Sequence, residues 1–222
     1  MKTVLFDFDF TLGDSSRAIV TCVRAGLREI GLPASPTDRI RDTIGLPLPD
    51  ALVRLQGPQP SAAIERFLAA FHRRPEAIMA EQTRIYEGVP ELLQLLRAAA
   101  CRTGIVSTKR RVRIEEILVR NDLRSAVDLI VGSEDAPAPK PDPSGLLLAR
   151  RRLEGDGQPA VYVGDHPVDA RAAQAADMAF VAVLSGMHDA AAFAPFRPLA
   201  VLPGIEALPA LLAQLPSPSR PL

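Results

Sequence analysis

The sequence predicts an α/β fold: a Rossmann-like, doubly wound parallel sheet as the core, with an inserted α-helical cap subdomain. First, short runs rich in β-branched residues recur along the chain. Second, the later runs alternate with segments of helical periodicity, which is typical of parallel βαβ units. Third, the interval between the first two runs is longer than one crossover helix requires, and it is patterned as helix throughout.

The core elements follow from these runs and from the turn residues between them. A leucine-rich helical pattern follows Gly88, and another begins shortly after Pro143. We expect the C-terminal tail to be disordered, because chain ends are often poorly ordered. The predicted strands cover residues 3–8, 102–107, 127–132, 160–164 and 178–183, with an edge strand at 199–202; the predicted helices lie around 92–96, 112–118, 146–149 and 205–215, and the tail is 216–222.

The interval after the first strand contains several helix patterns. The first helix has its apolar residues on one stripe, begins after Ser15 or Ser16 as the N-cap residue, and ends at Gly31. Pro75 marks a restart or a kink in the last pattern. The remaining helices are predicted at 35–45, at 49–55 and from 61 onwards.

We therefore assign residues 15–86 to a helical cap, and residues 1–14 and 87–222 to a Rossmann-like catalytic core. Both ends of the cap return to the carboxyl edge of the sheet, where ligands bind in open α/β folds. The cap is placed to act as a lid over that edge.

The composition excludes several classes of protein. Lys plus Arg total 26 and Asp plus Glu total 26, so no net charge attracts the chain to nucleic acid or to an anionic membrane. Cys22 and Cys101 form no CxxC pair, so neither a disulfide framework nor a thiolate metal site is indicated. The N-terminal apolar run is too short for a signal peptide or a membrane span. We expect a cytoplasmic protein, monomeric or homodimeric, with no nucleic-acid or membrane partner.

Asp7 and Asp9 are the most informative residues, because they end a run that is patterned as a buried strand. Burying these charges without a partner is costly. Side chains at i and i+2 leave a strand on the same side, so the two carboxylates can converge at its carboxyl end. A hard cation and a phosphate would explain such an arrangement.

Polar residues also follow three later strands, and parallel strands present their carboxyl ends at one edge of the sheet. The resulting set suits phosphoryl transfer through an aspartyl-phosphate, in which one carboxylate attacks phosphorus and Mg²⁺ neutralises charge. A lysine with hydroxyl or N–H donors can hold the phosphate oxygens, and a second acid can move protons. The residues are Ser107, Thr108 and Lys109 after the second strand, Lys140 after the third, and Asp165 with Asp169 after the fourth.

These residues resemble the motifs of the haloacid dehalogenase superfamily, on its phosphatase side, with a helical cap inserted after the first strand. The resemblance extends over nearly the whole chain, and segments 43–48, 86–89 and 104–109 are most similar to phosphoglycolate phosphatases and a related group of pyrophosphatases. The four motifs occur in order as Asp7-Phe8-Asp9-Phe10-Thr11-Leu12, Ser107, Lys140 in Lys140-Pro141-Asp142-Pro143, and Gly164-Asp165-His166-Pro167-Val168-Asp169.

The resemblance implies a role for each residue. Asp7 is implied to be the nucleophile and a metal ligand, and Asp9 the general acid and base, with its backbone carbonyl also reaching Mg²⁺. Asp165 is the implied third metal ligand. The other implied roles are phosphate binding by Ser107, by the N–H of Thr108 and by Lys140, orientation of Lys140 or of a metal-bound water by Asp169, positioning of the Asp9 loop by Thr11, and a hinge position for Asp14, with Glu134 and Asp135 as weaker candidates.

Several residues have two interpretations at this stage. Phe10 stands where the superfamily usually has glycine, and its ring either narrows the site or packs under the cap. Asp169 either serves the site or is a solvated residue in the first turn of a helix. Ser107 and Thr108 can also cap the helix that follows them, and His166 is expected at the rim of the site. His72, Arg73 and Arg74 are either a contact for a substrate anion or a solvated helix end.

The expected function is Mg²⁺-dependent hydrolysis of a small phosphorylated metabolite, with a phosphoglycolate-like substrate as the first choice. The alternatives are an inorganic pyrophosphatase, a sugar-phosphate mutase of the same superfamily, and a non-catalytic protein that binds a phosphorylated metabolite. A dehalogenase is disfavoured, because Asp9, Lys140 and Asp165 together describe a site for metal and phosphate.

Overall fold

The computed structural model describes residues 3–73, 75–154 and 160–214, without the side chains of residues 75–77 and 154. Three short 3₁₀ turns, at Arg124–Ala126, Ala194–Phe196 and Ile205–Ala207, accompany the regular elements. In chain order these elements are β1 (Thr3–Phe6), β2 (Gly13–Asp14), α1 (Ser16–Glu29), α2 (Thr37–Arg41), α3 (Leu48–Gln56), α4 (Ser61–Arg73), α5 (Pro75–Gln82), β3 (Arg84–Ile85), α6 (Val89–Ala98), β4 (Arg102–Val106), α7 (Arg111–Arg120), β5 (Leu129–Val131), α8 (Ser144–Glu154), β6 (Ala160–Gly164), α9 (Pro167–Ala175), β7 (Ala179–Val183), α10 (Ala190–Phe193), β8 (Ala200–Leu202) and α11 (Leu208–Gln214).

A parallel sheet of six strands forms the centre of the molecule, in the order β5-β4-β1-β6-β7-β8. Strand β1 pairs with β4 on one side and with β6 on the other, so that Phe6 lies opposite both Ile105 and Val163. Because the strands run in the same direction, the residues that follow β1, β4 and β6 meet at one edge of the sheet.

Helices cover both faces of this sheet. Val4 and Phe6 of β1 pack into a buried cluster with residues of α6, α7 and α11. Leu5 points to the opposite face, into a cluster with residues of α8, α9 and α10. Fully burying a side chain of this size contributes about 1.5–3 kcal/mol. The predicted doubly wound parallel core is therefore confirmed.

Helices α1 to α5 lie between two very short strands, β2 and β3, which pair antiparallel with Gly13 opposite Ile85. These helices have a hydrophobic cluster of their own. Helices α1 and α4 approach closely at Gly26, where an added Cβ would lie 2.6 Å from a ring carbon of Phe67. We call residues 16–82 the helical segment. Its action as a separate, mobile cap stays a prediction.

Several elements differ from the sequence prediction for identifiable reasons. Strand β1 ends at Phe6, because the chain turns back within the next residues and Leu12 donates its N–H to the carbonyl of Phe8 at 2.9 Å. The helix predicted at 35–45 is limited to Thr37–Arg41, because Thr43 and Ile44 donate to the carbonyls of Ile40 and Arg41, three residues back, and so form turns before Gly45. Strands β2 and β3 were not predicted, because two residues leave no periodicity.

The ends of the chain also differ in detail. The predicted helix at 205–215 begins as a 3₁₀ turn before α11, and the short helix α10 was not predicted. Ser15 occupies the N-cap position of α1, but Asp14 Oδ1 accepts the N–H of Ser16 at 2.8 Å in place of the serine side chain. Leu215, the tail at 216–222 and Arg74 lie outside the described residues. In the described ranges, no helix has both the length and the apolar character needed to cross a membrane.

Candidate active site

The loop after β1 places Asp7 and Asp9 at the carboxyl edge of the sheet. The N–H of Asp7 donates to the carbonyl of Val163 at 2.9 Å, which extends the pairing of β1 with β6 by one residue. Asp9 forms an isolated bridge with Gly13 inside the turn. Both carboxylates are buried, as the apolar pattern of the strand predicts.

Lys140 lies between two of the acids. Its Nζ is 3.0 Å from Asp7 Oδ1 and 2.5 Å from Asp169 Oδ1. Nζ also donates to the hydroxyl of Tyr162 at 2.9 Å, and that hydroxyl lies 2.9 Å from the carbonyl oxygen of Val106. Burial lowers the pKa of Lys140, but the negative charges of Asp169 and Asp7 outweigh it, so the pKa is raised and the ammonium is retained.

Asp169 belongs to the first turn of α9, yet its side chain is 0% exposed. One carboxylate oxygen accepts from Lys140, and the other accepts the backbone N–H of His166 at 3.1 Å. The solvated alternative is therefore wrong for this residue. Asp169 caps its helix and contacts the lysine with the same carboxylate.

Asp165 completes a group of acids that can hold a metal ion. One oxygen each from Asp7, Asp165 and Asp169 lies within 4.8 Å of the others. Burial, then the charges of Asp169 and Asp7, raise the pKa of Asp165 well above its usual range. Thr11 Oγ1 donates to Asp165 Oδ1 at 3.2 Å, and an added Cβ at Gly186 would collide with the other oxygen. The side chain of Asp9 is not a member of this group.

Asp9 has a lysine of its own. Lys109 Nζ lies 3.0 Å from Asp9 Oδ2, and both side chains are almost fully buried. Burial raises the pKa of Asp9, and the charge of Lys109 opposes that shift. Asp9 Oδ1 is buried without a hydrogen-bond partner among the described residues. This oxygen is therefore available to a ligand.

Ser107 and Thr108 follow β4 at the same edge. The N–H of Ser107 donates to the carbonyl of Val131 at 3.0 Å. Burial raises the pKa of Asp7, and the charge of Lys140 and a hydrogen bond from Ser107 oppose that shift without cancelling it. Thr108 Oγ1 donates to the carbonyl of Gly45 in the helical segment at 3.3 Å. Helix α7 begins later and has Arg110 as its N-cap residue, so the capping role predicted as an alternative for Ser107 and Thr108 is wrong.

A cavity of about 260 Å³ opens beside these residues. From the core, Asp9, Ser107, Lys109 and Lys140 contribute to its wall. The helical segment contributes an apolar wall that includes Ile44. A small, charged molecule can therefore lie against Asp9 and the two lysines while the helical segment covers its other side.

Phe10 packs under the helical segment and does not narrow this cavity. Its ring is 2% exposed and belongs to the hydrophobic cluster of that segment. The guanidinium of Arg41 lies 5.4 Å from the ring centroid. The backbone has a φ of 57°, and the carbonyl accepts a hydrogen bond from the Ser185 hydroxyl. Phe10 thus joins the catalytic loop to the helices above it.

Glu134 and Asp135, the weaker candidates, and His166, expected at the rim, belong to the loops around the site, where the N–H of His166 donates to Asp169. Glu134 accepts the N–H of Arg111 at 3.0 Å, and Asp135 forms an ion pair with the same arginine at 3.1 Å. His166 accepts the N–H of Val168 through Nδ1 and caps α9. These three side chains shape the surrounding loops.

The remaining predicted residues, in and around the helical segment, lie in different places. His72 lines the cavity, whereas the exposed Arg73 forms an ion pair with Glu29 at 3.4 Å. Asp14 lies in β2, opposite Arg84 of β3, where the chain enters the helical segment.

Sequence reasoning missed Tyr162 and Gly186 and gave Lys109 no role. Tyr162 lies inside β6, where it is indistinguishable from an ordinary core residue, and Gly186 follows β7 without a polar side chain. Lys109 gave a usable signal, since it follows Ser107 by two residues at a strand end.

The fold and the site together define a class of protein: enzymes with a parallel α/β sheet that act on phosphate esters, with two aspartates directly after the first strand. The sequence profile of the haloacid dehalogenase-like hydrolase family matches residues 4–183. A phosphoglycolate phosphatase of Xanthomonas campestris pv. campestris is 34% identical over 185 residues, covering 83% of this chain and 84% of the relative. A probable phosphatase, IndB, of Dickeya dadantii is 32% identical over 83% of this chain and 82% of its own length.

A solved structure supports the same assignment. A haloacid dehalogenase-like hydrolase from Bacteroides fragilis is 36% identical, with a TM-score of 0.89 over 93% of this chain and 99% of that chain. The chain belongs to the haloacid dehalogenase-like hydrolase family and is a phosphatase.

Proposed function

We propose that the protein is a Mg²⁺-dependent phosphatase that hydrolyses a small, phosphoglycolate-like metabolite through an aspartyl-phosphate intermediate. The observation that carries this proposal is the charge of the site. Four buried carboxylates, those of Asp7, Asp9, Asp165 and Asp169, face only two lysines, Lys109 and Lys140, among the described residues.

The donor set fits a divalent cation. When all four carboxylates are ionised, the uncompensated charge equals that of one such ion, and oxygen ligands are those that Mg²⁺ prefers. Asp7 and Asp165 would hold it, together with the backbone carbonyl of Asp9, and Asp169 lies close enough to take part. When bound, the ion would neutralise the approaching phosphate and the acids around it.

Asp7 is the proposed nucleophile. It follows the central strand directly, and its N–H is fixed by Val163, so the carboxylate has a defined position at the sheet edge. Burial raises the pKa of Asp7, and the Lys140 ammonium and the Ser107 hydroxyl oppose that shift. A bound cation would add to their effect and favour the ionised form that attacks phosphorus. The bond from Asp7 to phosphorus forms as the bond to the leaving oxygen breaks.

Asp9 is the proposed general acid and base. It delivers a proton to the leaving oxygen and later takes one from the water that hydrolyses the aspartyl-phosphate. Its unpartnered Oδ1 suits contact with the reacting groups, and its burial raises its pKa toward the range in which it can carry a proton.

Phosphate oxygens are held by Ser107, by the N–H of Thr108 and by Lys140. Tyr162 and Asp169 fix the direction of the lysine through two contacts, so the ammonium is oriented before a substrate arrives. Preorganised donors of this kind stabilise charge that develops in the transition state.

Residues 15–86 are proposed to act as the cap, closing over the substrate and opening for product release. The contact of Thr108 with Gly45 supports this, since it joins the phosphate-binding loop to the helical segment. Thr11 positions the catalytic loop, and Asp14 lies where cap and core meet.

An inorganic pyrophosphatase is the second candidate, because the lysine beside Asp9 suits the second phosphate of pyrophosphate as well as the carboxylate of phosphoglycolate. A sugar-phosphate mutase and a non-catalytic protein that binds a phosphorylated metabolite are alternatives that no specific observation favours. A monomeric or homodimeric state, the absence of nucleic-acid and membrane partners, and a cytoplasmic location stay predictions.

Phosphate release from a panel of phosphorylated metabolites, including phosphoglycolate and pyrophosphate, tests the proposal. We expect turnover that requires Mg²⁺, has its highest kcat/KM for a small anionic substrate, and disappears in Asp7→Asn. Isomerisation of a sugar phosphate without phosphate release would favour the mutase. Binding without any turnover would favour the non-catalytic reading.

A further inference from the structure

Lys109 is a second buried cation, and its surroundings differ from those of Lys140. Its side chain is 6% exposed, and Nζ pairs with Asp9 Oδ2 at 3.0 Å, on the proton-transferring acid and not on the nucleophile. The ring of Phe8 lies 5.8 Å from Nζ, and Sδ of Met79 in α5 lies 4.0 Å from it. Lys109 is thus held between the catalytic loop and the helical segment.

The position of Lys109 follows from backbone contacts on both sides of its side chain. Its N–H donates to Ser107 Oγ at 3.3 Å, and its carbonyl accepts the N–H of Ser133 at 3.1 Å. The same short loop therefore carries a phosphate-binding hydroxyl and, two residues later, a lysine aimed at Asp9. The two ends of one substrate can meet these two side chains.

The charge of the cavity wall continues beyond Lys109. Arg110 and Arg113 line the same cavity, with Arg113 in an ion pair with Glu116 at 2.9 Å, and Ile44 and Leu48 form part of its apolar side. His72 also lines it, but burial lowers the pKa of this histidine and favours its neutral form. If Asp9 protonates the leaving oxygen, the rest of the leaving group extends along the wall that Asp9 and Lys109 share. That wall is basic close to the reacting atoms, although Asp142 also lines the cavity.

We infer that Lys109 selects substrates whose leaving group carries a second negative charge, a carboxylate or a second phosphate, by donating to that anion from its place beside Asp9. This inference rests on the proposed function and deepens it. Asp9 Oδ2 holds the ammonium in place before the substrate binds, and the ammonium has further protons to donate to the anion. A charge-assisted hydrogen bond of this kind is short and strong.

The test compares phosphoglycolate with its amide, phosphoglycolamide, which has the same size and lacks the second charge. The measured quantity is the ratio of kcat/KM for the two substrates, because any general effect of Lys109 on Asp9 lowers both values and cancels. We expect Lys109→Gln to reduce this ratio about 10- to 100-fold, the range of one hydrogen bond to a charged group. Pyrophosphate, the other anionic source, is measured in parallel.

Two variants serve as controls. Lys109→Arg keeps the positive charge, so its kcat/KM ratio for the two substrates should stay close to that of the unaltered protein. Arg111→Gln removes a nearby cation that pairs with Asp135 outside the cavity, and should leave the ratio unchanged. Circular dichroism and thermal unfolding confirm that each variant is folded, and Lys109→Met replaces the glutamine variant if that one does not fold.

The outcomes separate the inference from the proposed function. An equal ratio in the unaltered protein and in Lys109→Gln, together with an unchanged kcat/KM for pyrophosphate, overturns the inference and leaves the phosphatase proposal standing. A fall for pyrophosphate but not for phosphoglycolate identifies a second phosphate as the recognised anion and supports the inference in that form. Absence of phosphate release from all three substrates by the unaltered protein would overturn both.

Discussion

Lys140 is the residue on which the charge balance of the site depends most. It contacts Asp7, Asp169 and Tyr162, and all four side chains are buried. A buried ion pair is a weak source of stability, but removal of one partner leaves the others without compensation. The lysine therefore matters to stability as well as to the phosphate binding proposed for it.

We expect Lys140→Met to abolish detectable turnover and to lower the free energy of unfolding by about 3–5 kcal/mol in the absence of Mg²⁺. Urea unfolding measures the second effect. Arg111→Gln is the matched control, since its partly exposed ion pairs contribute only about 0–1 kcal/mol. Equal stability of Lys140→Met and the unaltered protein would show that the acids do not depend on this lysine.

Phe10 shows how one residue can have opposing local and tertiary effects. Its φ of 57° favours glycine, whereas its ring is buried among the helices of the helical segment. Removal of a buried phenylalanine ring lowers the free energy of unfolding by about 3–5 kcal/mol. Glycine at this position removes the strain of the left-handed backbone, which raises the free energy of unfolding by about 1–2 kcal/mol.

We therefore expect Phe10→Gly to destabilise the protein by about 1–4 kcal/mol, which is the packing cost less the backbone relief. Phe10→Leu keeps most of the apolar volume, so it should lower the free energy of unfolding by less. Thermal and urea unfolding of the two variants measure the difference. A glycine variant as stable as the unaltered protein would mean that the ring contributes no packing.

At the scale of elements, β2 and β3 are the connection between the core and the helical segment. Thr83 Oγ1 donates to Ser15 Oγ at 2.9 Å beside these strands. At Gly13 an added Cβ would lie 2.9 Å from the carbonyl oxygen of Arg84, so the two backbones approach too closely for a side chain. This pair of strands is short enough to act as a hinge.

We expect Gly13→Val to separate the two strands and to increase amide hydrogen exchange in α1 and α4 more than in β4 and β6. Gly13→Ala should give a smaller change in the same direction. Hydrogen exchange followed by mass spectrometry resolves these segments. Uniform faster exchange across the chain would indicate general destabilisation and would contradict a local hinge.

The elements also show what sequence patterns can predict. The strands of the sheet were predicted because buried parallel strands leave continuous apolar runs, and their residues in β6 were placed correctly. Strands β2 and β3 escaped prediction, since their pairing depends on contacts between distant segments. The early end of β1 depends on hydrogen bonds within the loop that no periodicity records.

At the scale of the whole molecule, the topology of the sheet explains why the site residues lie close together. Asp7, Ser107 and Asp165 lie at the ends of the adjacent strands β1, β4 and β6, so a parallel sheet was enough to predict their proximity. The pairing of Lys109 with Asp9 and the path of Phe10 were not predictable. Both depend on how the helical segment and the loops pack on the core.

We expect the free energy of unfolding to depend on pH, and bound Mg²⁺ to change that dependence. Burial and neighbouring acids raise the pKa of Asp165 above its ordinary value of 3.8 in the folded protein. The folded state then keeps a proton that the unfolded state releases, so the free energy of unfolding falls as the pH rises from that value through the raised pKa.

With EDTA, we therefore expect stability to decrease over this pH range. Saturating Mg²⁺ should lessen or remove the decrease, because a bound cation favours the ionised carboxylates. Urea unfolding at a series of pH values, with and without Mg²⁺, measures this. Parallel curves in the two conditions would contradict a metal site formed by these acids.

The central claim is that Asp7 becomes phosphorylated during turnover, and chemical trapping tests it most directly. The enzyme is mixed with phosphoglycolate and Mg²⁺, quenched during turnover, and reduced with borohydride, which converts an aspartyl-phosphate to homoserine. We expect mass spectrometry to find homoserine at position 7 in the unaltered protein and no conversion in Asp7→Asn. Conversion at another acid, or phosphate release by Asp7→Asn, would contradict the assignment of Asp7 as the nucleophile.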